Sequence, residues 1–390
     1  MVKRIIILAN KYPNEIQKNV NVFTQQLTWC FADLGIKCIV ICPFAVNYNF
    51  KYKKLPYRIT EKTDKGNLVT IYRPQYMGFG QNNSLLQKIR VKTTTKNYIN
   101  AVEKVLKKID VKPSDVLFSE FLCPSGVAAA ILGKKYKISS YMQCGEATYQ
   151  GDKKYGNNYL KRKLKSLTGV IAVSGHNKKY LVHANIVKEN KIIVLPSGYR
   201  KQRFYSIEKN EARKKMGFPN DKFIVGFCGS FDDRKGILRL ESAIDSIEED
   251  NIVLAAVGSG DKRPNSKKCI FKKPLNHEDL IYFYNSIDVF AFPTYHEGCC
   301  TAIVEAIACG CPIISSDRDF NYEICDNSNS ILIDPDDIEG MKKSILLLYK
   351  NTKFKNKLRE GSLKKAEDLS LEAKAYKIIK YIEENNYKPY

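Results

Sequence analysis

Short β-branched runs alternate with helical patterns along the whole chain. In the first half, Arg4–Leu8, Lys37–Cys42, Leu68–Tyr72, Val116–Phe118, Ser139–Met142, Val170–Val173 and Ile192–Leu195 read as strands. Helical stretches fall between them, such as Val22–Leu34 and Asn97–Ile109. The second places Tyr98, Val102, Val105, Leu106 and Ile109 at helical spacing. The second half repeats the alternation with strands predicted at Phe223–Cys228, Ile252–Val257, Val289–Phe292, Pro312–Ser315 and Ser330–Leu332. Alternating β and α predicts an α/β protein whose parallel sheets carry helices on both faces. A break near Pro196–Ser197–Gly198 divides the pattern. It gives an N-terminal doubly wound domain over 1–198, a second over 199–370 and a final helix over 371–390 that crosses back to the first. Two such domains are expected to face each other across a cleft, with ligands at the carboxyl ends of their strands.

Composition changes this picture in one respect. The chain has 390 residues and a net charge of +23. Residues 1–200 hold 34 Lys/Arg against 11 Asp/Glu, whereas residues 201–390 hold 30 of each. The whole excess therefore lies in the first half, which points to an anionic partner there. No apolar run reaches the ~18 residues of a membrane span. The opening MVKR and Ile5–Ala9 mimic a signal peptide, but the apolar core stops at Asn10–Lys11 and reads better as a buried strand. The 12 Cys include no CxxC pair, which suits thiols in a reducing cytoplasm.

Two constellations carry chemistry. The strand FIVGFCG runs into Ser230-Phe231-Asp232-Asp233-Arg234-Lys235-Gly236. A helix follows with Ile237, Leu240, Ile244 and Ile247 on one face. Two cations and a glycine at a helix N-terminus suit a phosphate, though a solvated Arg-Lys pair would look the same. The second is Tyr295-His296-Glu297-Gly298-Cys299-Cys300-Thr301, between the strand Val289–Phe292 and a helix Thr301–Ala308 that carries Glu305. Loop N–H groups there can cap a phosphate, and a carboxylate can accept from two hydroxyls of a sugar or ribose.

Glu297-x7-Glu305 followed by Ala308-Cys309-Gly310-Cys311-Pro312 resembles the signature of glycosyltransferase family 4, retaining enzymes of GT-B fold that use nucleotide sugars. The resemblance covers nearly the whole chain. It includes Lys235-Gly236, Val257-Gly258-Ser259-Gly260, the segment Asn190–Gly198 and the strand Gly169–Ser174. It implies that Glu297 holds the transferred sugar and that Gly298, Cys299, Cys300 and Thr301 bind the donor through backbone N–H groups. Glu305 would bind the ribose, and Lys235 would neutralise the departing diphosphate. The base would lie against Lys273-Pro274-Leu275, after a strand Cys269–Phe271. Where most members carry Arg after the phosphate-segment glycine, this chain has Ser230. Arg234 is the substitute, as in the "GS…RKG" run of the lipopolysaccharide core glucosyltransferase branch. The His-Gly of many members is replaced by Cys144-Gly145-Glu146. The glycine-rich first loop is replaced by Lys11–Asn21, where Asn19 and Asn21 tolerate left-handed geometry.

Other residues carry less. His296, Cys299, Cys300, Cys309 and Cys311 fit no zinc spacing, and Cys309 and Cys311 read as small packing residues. Asp334-Pro335-Asp336 and Asp317-Arg318-Asp319 read as turn acids. His176, His183 and His277 sit in unremarkable polar or helix-start contexts. Two basic stretches remain, Leu85–Lys92 and the segment from Lys153-Lys154 to Leu160–Leu167. Each is either a solvated helix face or a dock for anionic lipid.

The expectation is thus a retaining hexosyltransferase without cofactor or metal. It would move a hexose or N-acetylhexosamine from a nucleotide sugar, UDP-linked, to a polyprenyl-diphosphate or other lipid-linked saccharide. Its place would be the cytoplasm, peripheral on the inner face of the membrane. A GT-B epimerase or phosphorylase and a basic nucleic-acid-binding protein are the alternatives. The basic half shows no nucleic-acid recognition motif.

Overall fold

Strands that alternate with helices in sequence pair side by side in space, as the pattern predicts. The computed structural model describes residues 2–18, 20–79, 86–146 and 155–385. Asn19, Leu85, Lys153 and Lys154 lie outside them. The chain parts into two compact units, Met1–Leu195 with Ala375–Tyr390, and Pro196–Lys374.

In the first unit an eight-stranded sheet runs in the spatial order Ile192–Val194, Gly169–Ala172, Ser139–Cys144, Val116–Glu120, Arg4–Leu8, Lys37–Ile41, Leu68–Tyr72, Arg58–Lys62. All neighbours are parallel except the last pair. Central strands such as Val116–Glu120 and Ser139–Cys144 are buried along their whole length. Both faces are covered, so burial is not confined to alternate positions: Val116, Leu117 and Phe118 run together, and Ser119, Glu120, Ser139, Ser140 and Gln143 are buried polar residues beside them. The helix Gln87–Lys108 starts ten residues earlier than its apolar spacing suggests. Its first turns are polar and carry Val91 and Thr95 as the buried contacts.

The second unit holds a six-stranded parallel sheet in the order Cys269–Lys273, Ile252–Val257, Phe223–Cys228, Val289–Phe292, Ile313–Ser316, Ser330–Ile333. The helix Ile237–Asp245 buries Ile237, Leu240 and Ile244, and Ile247 just beyond it is buried too. Cys309 and Cys311 are buried in the core beside Ile307 and Ile313.

The first unit ends at Leu195 rather than Gly198 because the next residues bond within the second. Ser197 N–H donates to Cys299 Sγ at 3.3 Å. Tyr199 N–H donates to Leu369 O at 3.1 Å, and Leu371 N–H to Tyr199 O at 2.8 Å. The last helix, Leu371–Asn385, is shared, since its residues from Ala375 on belong to the first unit. Tyr381 donates to Lys191 O at 2.8 Å, Tyr141 donates to Ile382 O at 3.2 Å, and Val2 N–H donates to Glu383 at 3.0 Å. Gly169 is required there, because a Cβ would sit within 2.5–2.9 Å of the Tyr381 hydroxyl and ring.

Candidate functional site

In each sheet one neighbouring pair of strands sends its connections in opposite directions. That switch point is where doubly wound sheets leave a crevice for ligands. In the second unit the pair is Phe223–Cys228 and Val289–Phe292, joined in parallel register through Val225–Val289 and Gly226–Phe290. The loop after the first strand leads to Gly236, whose φ of 80° lets it begin the helix Ile237–Asp245. The loop after the second leads to the helix Thr301–Ala308. Neither helix has a side-chain cap at its N-terminus. Two sets of backbone donors and two positive dipole ends therefore meet at one sheet edge.

Glu297 lies between them and is nearly buried, at 8 % exposure. One of its oxygens, Oε1, accepts from Arg234 Nη1 at 2.6 Å, from Lys235 Nζ and from Thr294 Oγ1 at 3.2 Å. Among the described residues no donor reaches Oε2. Arg234 also donates to His296 O at 2.9 Å, and Tyr295 N–H donates to Arg234 O at 2.9 Å, so the two loops are laced together. Lys235 lies 5.0 Å from the Phe292 ring centroid. Asp232 shapes the first loop, accepting from Ser230 Oγ at 2.6 Å and from Lys235 N–H at 2.8 Å. Burial opposes ionisation of Asp232, but these hydrogen bonds and the Arg234 and Lys235 charges outweigh it and hold its carboxyl below the usual range. The arrangement leaves a fixed carboxylate with one open oxygen beside two cations. That suits a polyol attached to a phosphate.

Glu305, in the second turn of its helix, forms a second cluster. Tyr284 donates to Oε2 at 2.9 Å, and His277 Nε2 stands 3.7 Å from Oε1. Burial first, then Cys228 and Glu305, pushes the Tyr284 hydroxyl well above its ordinary range, so it stays a donor. His277 packs edge-on against Phe204 with ring centroids 5.5 Å apart. Its setting is therefore more specific than its helix-start sequence suggests.

Cys299 and Cys300 flank this edge, and burial pushes both thiols up, which disfavours their thiolate forms. Gly298 is buried and Thr301 exposed at the helix start. Lys273 and Pro274 are exposed at the end of the strand Cys269–Lys273, and Leu275 packs against the core. Lys273 O accepts from Gly258 N–H at 3.2 Å. Ser230 is spent on Asp232 and faces solvent.

In the first unit the switch point lies between Arg4–Leu8 and Val116–Glu120. Asn10 spans it, donating to Cys123 O at 3.1 Å and accepting from Ser125 N–H at 3.2 Å. Asn21 is in the left-handed region, φ 46°, at the start of the helix Val22–Asp33. Glu146 accepts from Leu122 N–H at 2.6 Å and from the Cys144 thiol at 3.1 Å, one residue beyond Gly145. Burial pushes its carboxyl up against these hydrogen bonds. Glu61 anchors the loop Lys11–Lys18 and the helix behind it. It accepts from Tyr12 at 2.5 Å, Trp29 at 2.8 Å and Gln25 at 2.9 Å.

The structure thus brings Arg234, Lys235 and Glu297 into direct contact. It places Glu305 with Tyr284 and His277, and in the other unit it joins Cys144 to Glu146 across Gly145, with Asn21 at the start of the helix Val22–Asp33. Tyr284, His277 and Glu61 escaped sequence reasoning because their partners are distant in the chain, and Thr294 because only the turn of its own loop brings its hydroxyl to Glu297.

Residues 208–365 match the family model described as glycosyl transferases group 1. The Bacillus subtilis protein assigned to teichuronic acid biosynthesis as glycosyltransferase TuaC is 26% identical over 88% of this chain and 88% of its own length. The Escherichia coli UDP-Gal:alpha-D-GlcNAc-diphosphoundecaprenol alpha-1,3-galactosyltransferase is 26% identical over 47% of this chain and 51% of its own. Among solved structures, sucrose-phosphate synthase from Thermosynechococcus elongatus superposes with a TM-score of 0.76 at 18% identity, covering 98% of each chain.

Proposed function

This chain is a glycosyltransferase of group 1, and we propose that it builds bacterial cell-surface polysaccharide. In this reading it moves a hexose or N-acetylhexosamine from a UDP-sugar to a polyprenyl-diphosphate-linked saccharide, with retention of configuration. The observation that carries the reading is Glu297, pinned through Oε1 by Arg234, Lys235 and Thr294 while Oε2 stays open. The UDP-sugar and the lipid diphosphate also draw on the E. coli relative, whose name states both.

Each residue then has a physical task. Glu297 Oε2 accepts hydroxyls of the sugar and fixes its anomeric carbon. Arg has five N–H donors and Lys three, so Arg234 and Lys235 keep donors to spare for the diphosphate. As the bond from the anomeric carbon to the phosphate oxygen breaks, positive charge grows on the sugar and negative charge on the leaving group. Fixed charges and helix N-termini stabilise both without reorganising. The acceptor oxygen bonds to the anomeric carbon on the face the phosphate leaves, and its proton passes to a phosphate oxygen. Glu305 accepts from the ribose hydroxyls. This reading gives the charge stabilisation to side chains and assigns no step to a metal or cofactor.

The test is transfer from a panel of UDP- and GDP-sugars to a synthetic lipid-diphosphate saccharide, with the product's anomeric configuration read by NMR. An α-linked product from an α-linked UDP-sugar is expected. A β-linked product would overturn retention, and turnover with GDP-sugars alone would overturn the base. Tyr284→Phe probes the ribose assignment. Losing one hydrogen bond to a carboxylate raises the donor KM roughly fivefold to tenfold with kcat within about twofold. An unchanged KM would separate Glu305 from the ribose.

A further inference from the structure

The strand Val289–Phe292 gives way to Pro293-Thr294 and the loop that carries Glu297. Pro293 has no N–H, and past the end of the ladder the carbonyls of Phe292 and Thr294 need donors from elsewhere. The neighbouring strand, Ile313–Ser316, supplies them. Ser315 Oγ donates to Phe292 O at 2.9 Å, and Ser316 Oγ donates to Thr294 O at 2.6 Å. Thr294 Oγ1 in turn reaches Glu297 Oε1 and Arg234 O, each at 3.2 Å. Two hydroxyls of the next strand therefore hold the backbone from which the Glu297 loop departs.

Both serines are held by Asn321. Its Nδ2 donates to Ser316 O at 2.8 Å and to Ser315 Oγ at 3.1 Å. Ser315 Oγ gives its own proton to Phe292 O, so it can only accept from the amide. Ser316 O is an acceptor too, and the orientation of the amide follows from these two partners. A turn delivers the residue to them: Arg318 N–H donates to Ser316 O at 2.9 Å, and Asn321 N–H donates to Arg318 O at 3.0 Å. Thr294, Ser315, Ser316 and Asn321 are all fully buried, so the path has no slack to solvent.

The other end of the amide is idle. Asn321 Oδ1 is buried and meets no donor among the described residues. A buried acceptor without a donor costs stability, and an apolar side chain of similar size would avoid that cost. What distinguishes an amide at this position is therefore its N–H groups. Through Ser316 and Thr294 they lead to Glu297 Oε1, the oxygen that Arg234 and Lys235 also hold. Asn329 is a contrast in the same unit. It is equally buried, but its amide is spent locally, donating to Ile324 O at 3.0 Å and accepting from Asp326 N–H at 2.9 Å.

We propose that Asn321 is a positioning residue for the transfer reaction. It fixes the Phe292 and Thr294 carbonyls through Ser315 and Ser316, and so sets where Glu297 presents Oε2. The inference rests on the role proposed for Glu297. Asn321 itself touches neither substrate nor reacting atoms and acts only through the loop. Misplacing a reacting group by about 1 Å costs up to roughly a hundredfold in rate, which is ample for a remote residue to matter.

Asn321→Asp tests it, because the swap keeps the shape and turns the donor facing Ser316 O into an acceptor. Calorimetric titration with UDP counts the competent sites, and kcat is taken per site. At about pH 8 the variant is expected to bind UDP within about threefold of wild type and to lose roughly tenfold to a hundredfold in kcat. Burial raises the introduced carboxyl, which donates again once protonated. The ratio of variant to wild-type kcat should therefore climb as pH falls from about 8 to about 5.5, and titrations common to both proteins, such as those of Glu297 and Asp317, cancel in that ratio. Ser316→Ala buries no new charge and should cost severalfold. The double variant should lose no more than Asn321→Asp alone, since both changes break one path. Asn329→Asp should lower stability but leave kcat per site within about twofold. Wild-type kcat per site in Asn321→Asp, an equal loss in Asn329→Asp, or losses that multiply in the double variant would overturn the proposal. Should Asn321→Asp yield no folded protein, Ser316→Ala decides alone, and wild-type kcat per site there overturns it. Glu297→Gln, measured alongside, separates the two readings. Near-wild-type transfer in that variant would remove the proposed chemistry, whereas an inactive Glu297→Gln beside fully active Asn321 and Ser316 variants would overturn the positioning role alone.

Discussion

Glu297→Gln lowers transfer by roughly a thousandfold while affinity for the nucleoside diphosphate holds or rises. The first half follows from what the carboxylate does. Removing one preorganised charged group from a buried site costs on the order of a hundredfold to a thousandfold in rate. Glu297 is also the common partner of three donors, so its loss disturbs Arg234, Lys235 and Thr294 together. The second half follows from those same contacts. In the ligand-free protein both cations are partly spent on Oε1. A neutral amide releases them, and a diphosphate then meets two less-compensated charges. Transfer kinetics and calorimetry with UDP check both halves on the same sample. Near-wild-type transfer would remove Glu297 from the chemistry. A large loss of UDP affinity would mean that the cations need Glu297 to hold their positions.

Most of what makes this site was legible where it is local. Ser230–Gly236 and Tyr295–Thr301 each follow a strand and precede a helix, and the chain has no freedom to place them elsewhere than at the sheet edge. Asn21 was legible for a similar reason, since few residues adopt φ 46° without cost. What escaped is non-local. Glu61 sits in an edge strand, Arg58–Lys62, that alternates exposed and half-buried residues and reads as polar. Nothing near it in sequence announces that Tyr12, Gln25 and Trp29 converge on its carboxylate. His277 is likewise ordinary until the fold brings Glu305 within 3.7 Å. The two basic stretches looked alike because leucine spacing cannot tell a stripe packed against its own core, as Leu160 and Leu164 are, from one left at the surface, as Leu86 is.

Asp288→Ala destabilises the second unit by about 3–5 kcal/mol, the cost of breaking a buried ion pair from one side. The residue immediately precedes the strand Val289–Phe292, whose far end carries the Glu297 loop. Its oxygens accept from Arg213 at 2.7 Å, from Lys209 at 2.7 Å and from Ile224 N–H at 2.8 Å, with Lys355 at 3.5 Å. Arg213 is almost fully buried and also donates to Ser286 O and Asn220 O, so it cannot follow solvent when its carboxylate is removed. Burial opposes ionisation of Asp288, but Lys209, the Ile224 N–H and Lys355 overcome it and hold the carboxyl below its usual range. A depressed carboxyl stabilises the fold above its unfolded value of about 3.9, and that contribution is lost as pH falls through the folded one. The gap between wild type and Asp288→Asn in urea unfolding should therefore be constant from pH 7 to about pH 5 and narrow below that. A gap under about 1 kcal/mol at pH 7 would mean that Arg213 and Lys209 find other partners. A gap that widens with acid would put the charge on the wrong side of the balance. Because this network pins the start of the strand and the Glu297 loop leaves from its end, nucleotide binding should weaken in Asp288→Ala only when the unit itself begins to unfold.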